Sequence, residues 1–387
     1  MTTRVVRHIA ELTTNDSSLG DHSVMGRLFD AALVHDDGRV LWVGPDDEAP
    51  DADEVLDAAN GTVIPGFVDS HTHLVFAGER SDEFEARMAG QHYDGGGIGR
   101  TVEATRAAST AELRATTAQR AAALRANGVT TVEIKSGYEL TTEGEARLLD
   151  VAGEFSDEVT FLGAHVVPEE FGQDRDGYVD LVAGAMMTAC APRARWADVF
   201  CDRGAFSVDE SRAILLAARD AGLELRLHGN QLGDTGGVAL AVELDAASVD
   251  HCTFVRDDDV HQLAASSTVA TLLPGAEFST RSAYPSARRL LDAGVVVALA
   301  TDCNPGTSYV TNMGFVIALA VREMAMTFDE ALWAATRGGA RALRRDDVGH
   351  LGVGARADFV VLDAPRAVHL AYRPGGAVVR RTERAKR

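Results

Sequence analysis

Eight apolar, strand-like runs recur along the middle of this chain. They lie at Val63–Val68, Val129–Ile134, Val159–Gly163, Ala197–Cys201, Leu223–Leu227, Ala247–Val249, Val269–Leu273 and Val295–Ala300. Helical segments with their own start and stop signals lie between many of them. Ser109-x-x-Glu112 is a capping box that opens an Ala-rich helix, stopped at Asn127-Gly128. Ser207-x-x-Glu210 opens another, closed by Gly222, and Thr327-x-x-Glu330 a third, closed near Gly338-Gly339. Eight such strands with intervening helices over roughly 280 residues predict an α/β fold, a (β/α)8 TIM barrel. A doubly wound open sheet is the rival, but no G-x-G-x-x-G follows the first strand. The Gly95–Gly99 run follows no strand and lacks a Lys-Ser/Thr after it, so it reads as a mobile loop and a candidate lid.

Both chain ends have a different texture. Ala31–Leu33 and Val40–Val43 flank the hairpin signal Asp36-Asp37-Gly38, and Ala357–Asp363 reads as a strand after Gly352 and Gly354. Residues 1–62 and 345–387 are therefore expected to form one small composite β domain beside a barrel of residues 63–344. The basic tail after Val379 is expected to fray.

Charge excludes some function classes. The 387 residues carry 58 Asp and Glu against 37 Lys and Arg, a net charge of −21. Such a chain repels phosphate backbones and anionic bilayers, so neither nucleic acid nor membrane is an expected partner. An anionic substrate would need a dedicated Arg. The start, Met1–Leu12, has no apolar signal core, and no run of 18 apolar residues occurs. The chain reads as soluble and cytoplasmic, with Cys190, Cys201, Cys252 and Cys303 as reduced thiols. Lys135 and Lys386 are its only lysines, and Lys135 sits at a strand end.

Chemistry in a (β/α)8 barrel sits at the C-terminal ends of the strands. Five of the 12 histidines fall there: His71, His73, His165, His228 and His251. In Asp69-Ser70-His71-Thr72-His73 the alternation of a strand turns both imidazoles to one side. With His228 and Asp302 they make a set of three imidazoles and one carboxylate, which suits one zinc or iron ion. A cation there would lower the pKa of water toward neutrality. Asp302 could take the proton and pass it to a leaving nitrogen, while His251 could hydrogen-bond the attacked carbonyl or the water.

His-x-His on strand 1, His on strands 5 and 6 and Asp on strand 8 resemble the amidohydrolase superfamily. The resemblance implies the same barrel with a small β-sandwich domain from both chain ends, and a homodimer would be in keeping with it. Members with two metals carry a lysine on strand 4. Trp196–Asp202 has none, which implies one metal ion. Within the superfamily the chain resembles the imidazolonepropionase family of histidine breakdown, from about Pro65 to Asp363. The pieces that carry this are Pro65–Phe76, Gly95–Ile98 with Thr101–Arg106, Val132–Tyr138, Thr160–Pro168, Asp198–Cys201, Leu272–Gly275 and Ala300–Thr307.

That resemblance implies hydrolysis of the cyclic amide of 4-imidazolone-5-propanoate to N-formimidoyl-L-glutamate. It also implies Arg80, Tyr138, His165, Gln231, Asn304, Gly306 and Thr307 as substrate contacts, with Arg80 as the fork for the propionate. Gln231 departs from the Glu that can stand at this position. A glutamine cannot act as a base, so the acid–base work falls to Asp302 and His251. Gln91–Gly97 is shorter than usual. Two alternatives stay open: another mononuclear amidohydrolase or deaminase acting on a heterocyclic ring, and a barrel that binds small molecules without catalysis.

Overall fold

The computed structural model describes residues 2–36, 38–90 and 97–385. Its fifteen strands are β1 (Thr3–Thr13), β2 (Arg27–Asp36), β3 (Arg39–Pro45), β4 (Glu54–Asp57), β5 (Thr62–Pro65), β6 (Phe67–Asp69), β7 (Val129–Lys135), β8 (Glu158–Ala164), β9 (Trp196–Cys201), β10 (Glu224–Gly229), β11 (Ser248–His251), β12 (Val269–Leu272), β13 (Val297–Leu299), β14 (Phe359–Leu362) and β15 (Val379–Glu383). They form two sheets.

The first has the order β15-β14-β5-β1-β2-β3, with β4 paired to β1, and so draws on both chain ends. Val6, Ile9, Leu33, Val63, Phe359 and Val361 fill one side of it; Val5, Ala32 and Val34 form a smaller cluster. As far as Ala385 the tail does not fray. β15 pairs antiparallel with β14, Arg380 reaches the Asp363 carboxylate (2.8 Å), and Ala385 N–H donates to Asp358 (2.6 Å). Basic side chains thus find acidic partners while remaining open to solvent.

The second sheet is the eight-stranded barrel, in sequence order from β6 to β13. The pairings recorded from β7 to β13 are parallel. Past the ends of β6 and β13 the chain is closed by two backbone hydrogen bonds. Asp302 N–H donates to the His71 carbonyl (3.1 Å), and His73 N–H to the Cys303 carbonyl (3.0 Å).

The first apolar run serves both sheets. β5 pairs with β1 and β14, and only β6 belongs to the barrel. The switch is at Gly66, whose N–H goes to Asp358 O while Phe67 N–H goes to Gly128 O. A Cβ at Gly66 would strike the Thr130 side chain, so only glycine passes here. The capping boxes at Ser207 and Thr327 form as read, and Ser109 and Glu112 exchange the same reciprocal bonds. The Thr327 helix does not stop at Gly338-Gly339. A π turn carries it to Ala342, and Gly339 stays helical because its bare Cα lies against the Val68 carbonyl. No helix among the described residues is long and apolar enough to cross a membrane.

By density of contacts the chain divides into two compact units. One is Met1–Asp69, Ala123–Thr131 and Asn312–Arg387; the other is Ser70–Ala122 and Val132–Thr311. Every residue of the site below belongs to the second.

Candidate metal centre and active site

The strand ends deliver the expected side chains to one point. His73 Nε2 lies 3.3 Å from His71 Nε2 and 3.3 Å from His228 Nε2. Asp302 Oδ1 lies 3.5 Å from His71 Nε2 and 3.6 Å from His73 Nε2. Donors about 2.1 Å from a common centre in a tetrahedron stand about 3.4 Å apart, so this is the spacing of a coordination shell. Two overlapping triplets share His71: one with His73 and Asp302, one with His228 and His251. Within each, the donor atoms lie within 4.8 Å of one another. His251, read as a partner of the carbonyl or water, therefore also lies within reach of a cation.

The tautomers fit a cation too. His71 Nδ1 is 2.6 Å from Asp250 Oδ2, and His228 Nδ1 is 3.0 Å from Asp198 Oδ2. A carboxylate on Nδ1 fixes the proton there and turns the Nε2 lone pair inward. Three imidazole nitrogens and a carboxylate oxygen converging at this spacing, two of the rings backed by carboxylates at Nδ1, fit a metal ion.

Beneath them lies a layer of buried ions that the sequence reading missed, apart from Lys135. Lys135 Nζ is 2.8 Å from Asp198 Oδ2, 2.9 Å from Glu133 Oε1 and 4.0 Å from Asp250 Oδ2. Arg226 Nη2 donates to Ser70 O (2.7 Å) and lies 3.4 Å from Asp250. Glu133 accepts the Thr72 N–H (3.0 Å). All five side chains are fully buried. The signal was available as Glu133-x-Lys135 and Arg226-x-His228, charges two apart on one face of apolar strands.

Burial and the neighbouring charges set the protonation states. Burial opposes ionisation of Asp198 and Asp250, but His228 and Lys135 for the first, and Arg226 and Lys135 for the second, hold both below the usual carboxylate range. Burial is opposed likewise for Lys135, which Asp198 and Glu133 keep charged. Burial, then the nearby cations and imidazoles, lowers His71, His73 and His251 well below an ordinary histidine. Burial pushes the Asp302 carboxyl well up, against hydrogen bonds from Asn304 and Thr307. Two of these residues hold strained backbone: φ is 79° at His251 and 52° at Asp302, in the left-handed region. Such conformations persist where the surroundings dictate them, here at the two strand ends that aim into the site.

A cavity of about 1010 Å³ opens above, lined by His73, His228, His251 and Asp302 at its base and by all seven expected substrate contacts. His165 stacks on His73 with ring centroids 5.3 Å apart, its Nδ1 bound to Gly137 O (2.9 Å). The Tyr138 ring packs on His165 at 5.2 Å. Glu145, also missed, accepts the N–H groups of Gly137, Glu139 and Leu140 and so clamps the Tyr138 loop. Asn304 is committed within its own loop, accepting from Gly306 and Thr307 N–H (2.8 Å each) and donating to Asp302 O (2.7 Å). Arg80 is buried, with Nε and Nη2 paired to Glu83 at 3.0 and 2.6 Å, so that edge of the fork is taken. Its Nη1 lies against Gly306, where a Cβ would collide with it. Of the expected lid, Gly95 and Gly96 lie outside the described residues. Gly97 begins the helix Ile98–Ala107, whose first residues line the cavity.

The amidohydrolase family profile matches residues 91–374. Imidazolonepropionase of Mycolicibacterium smegmatis is 62% identical over 98% of this chain and 96% of its own length. That of Streptomyces griseus is 60% identical over 98% and 97%. The chain belongs to the imidazolonepropionase family. Solved structures with the same fold include an atrazine chlorohydrolase of Arthrobacter aurescens complexed with zinc. It has a TM-score of 0.72 at 17% identity, covering 99% of this chain and 94% of its own. An adenosine deaminase of Xanthomonas campestris with bound zinc has a TM-score of 0.70 at 19% identity, covering 99% and 91%. Their metals belong to those proteins; what this imidazolonepropionase family member contributes is its own His/Asp cluster, which could hold an ion.

Proposed function

We propose that the chain opens the cyclic amide of 4-imidazolone-5-propanoate with one water, giving N-formimidoyl-L-glutamate, a step of histidine degradation. The observation that carries the reading is the shell of His71, His73, His228 and Asp302 at the floor of the cavity, joined to the 62% identity with an imidazolonepropionase. Those four residues would hold one zinc or iron ion, which polarises the carbonyl and makes water a nucleophile at neutral pH.

The rest is done by the chain. Asp302 accepts the proton of the attacking water and returns it to the ring nitrogen as the C–N bond breaks. Asp302 would take this role as the carboxylate, the form in which it would serve as a ligand. His251, whose Nδ1 has no hydrogen-bond partner among the described residues, donates to the oxygen on which charge develops. Gln231 orients the water or the amide by hydrogen bonding and takes no proton. Tyr138 and His165 form the wall against which the ring lies. Arg80 offers its Nη1 edge to the propionate beside Gly306 and Thr307. We place the enzyme in the cytoplasm, where its four buried free thiols stay reduced.

The test is metal analysis of purified protein with the fall in imidazolone-ring absorbance on turnover. About one ion per chain with ring opening is expected. Stoichiometric metal without ring opening would overturn the reading.

A further inference from the structure

Three arginines line the cavity, and they are not equivalent. Arg80 is tied to Glu83. Arg106 gives Nη2 to Glu170 (2.7 Å) and Nε to the Glu139 carbonyl (2.8 Å). Arg203 is exposed and forms no ion pair within 4 Å among the described residues. It is nevertheless held. Its guanidinium lies over Gly233, where a Cβ would come within 2.7 Å of Cζ, so the bare glycine is its seat.

One carboxylate fixes the backbone on both sides of that contact. Asp202 accepts the Arg203 N–H at 2.7 Å with one oxygen. With the other it accepts the N–H groups of Gln231 (2.6 Å) and Leu232 (2.9 Å). The loop after β9, which bears Arg203, and the loop after β10, which bears Gln231, are thereby clasped together at the cavity wall. Glu103, Glu169 and Glu170 line the same cavity in a chain of net charge −21. A carboxylate arriving here meets repulsion, two arginines held in ion pairs, and one, Arg203, whose charge is felt by Asp202 but closed by no ion pair.

We propose that Arg203 is the first residue to meet the carboxylate of the anionic substrate, at the cavity mouth and before Arg80 holds it, and sets the rate of productive encounter. The proposal rests on the reading of the substrate as a propionate. A cation without an ion pair at a mouth bordered by low-dielectric walls raises the local concentration of an anion and the on-rate, and the effect weakens with salt. Arg203 is a binding residue and takes no part in bond breaking.

The experiment is kcat/KM against ionic strength for the metal-loaded enzyme and its Arg203→Ala, Arg203→Glu and Arg203→Lys variants. Arg114→Ala, which removes an arginine that does not line the cavity, is the control. At low salt Arg203→Ala is expected to lower kcat/KM about 3- to 10-fold, Arg203→Glu more, and Arg203→Lys to restore most of it, with kcat within about twofold. The gap should close at high salt. Glutarate, a dicarboxylate without the ring, should inhibit Arg203→Ala more weakly by a similar factor. The proposal is overturned if Arg203→Glu leaves kcat/KM and glutarate inhibition unchanged at low salt, or if the loss falls on kcat. Wild type that fails to open the ring sinks the functional reading itself; wild type that turns over beside indifferent Arg203 variants sinks this inference alone.

Discussion

The floor and the rim of the cavity hold charge in opposite ways. At the floor, Glu133, Lys135, Asp198, Arg226 and Asp250 are wholly out of water, and each sits within 4 Å of an opposite charge. At the rim, Arg106 and Arg203 meet solvent, and the Arg80–Glu83 pair is only partly covered. A buried ion cannot move without exposing an unpaired charge, so the floor fixes imidazole orientation rigidly. A rim charge is screened and adjustable, which suits meeting a substrate and letting a product go.

Substitutions should break this contrast with very different force. His71→Ala or Asp302→Asn removes a donor, and turnover should drop by about a thousandfold or more with loss of bound metal, read by assay and metal analysis. Near-full activity with normal metal content would remove the assigned shell. Lys135→Met leaves Asp198 and Glu133 without their cation. It should cost about 3–5 kcal/mol in denaturant unfolding and weaken zinc binding about 10- to 100-fold in a chelator competition. An unchanged affinity would show that the floor does not govern the imidazoles.

Burial, with the neighbouring His228 imidazole adding to it, depresses His165 to about 3, below its unfolded 6.5. Its contribution is present above pH 6.5 and is lost as pH falls toward 3, because only the unfolded chain takes up the proton. In that window stability should fall with decreasing pH, by up to about 1.4 kcal/mol per pH unit from this one group, and His165→Asn should flatten the slope. Glu83→Gln sits at the rim and should do least. Freeing the Nε–Nη2 edge of Arg80 is expected to shift KM for the propionate by no more than about threefold, downward, with stability unchanged within about 0.5 kcal/mol. A rise in KM would mean that Glu83 orients Arg80 instead of competing for it.

What could be read from the sequence follows the same division. The barrel was legible because eight apolar runs punctuated by capped helices admit few arrangements. The gathering of the imidazoles and Asp302 was legible because strand ends are where such a barrel exposes side chains. The ionic floor was not read, since Asp198, Asp250 and Arg226 each pass singly as a polar residue in a strand. Only the pairing of Glu133 with Lys135 in space gives them meaning. The run Val63–Val68 looked like one strand because apolarity does not record a change of partner, and the change hangs on Gly66 alone. Gly338-Gly339 looked like a stop because glycine at a helix end and glycine under a crossing carbonyl have the same letter. The Arg80 fork was expected open, and a carboxylate three residues away occupies it; side-chain competition of that kind leaves no trace in spacing.

The two backbone hydrogen bonds between the His71–His73 stretch and Asp302–Cys303 have a consequence for anyone redesigning this centre. Three of the four peptide groups that join the first stave of the vessel to the last belong to residues whose side chains would grip the ion. Exchanging donors there to favour another metal will alter how stiffly the wall is seamed as well as what it binds. Amide exchange along that seam should be monitored together with the new chemistry.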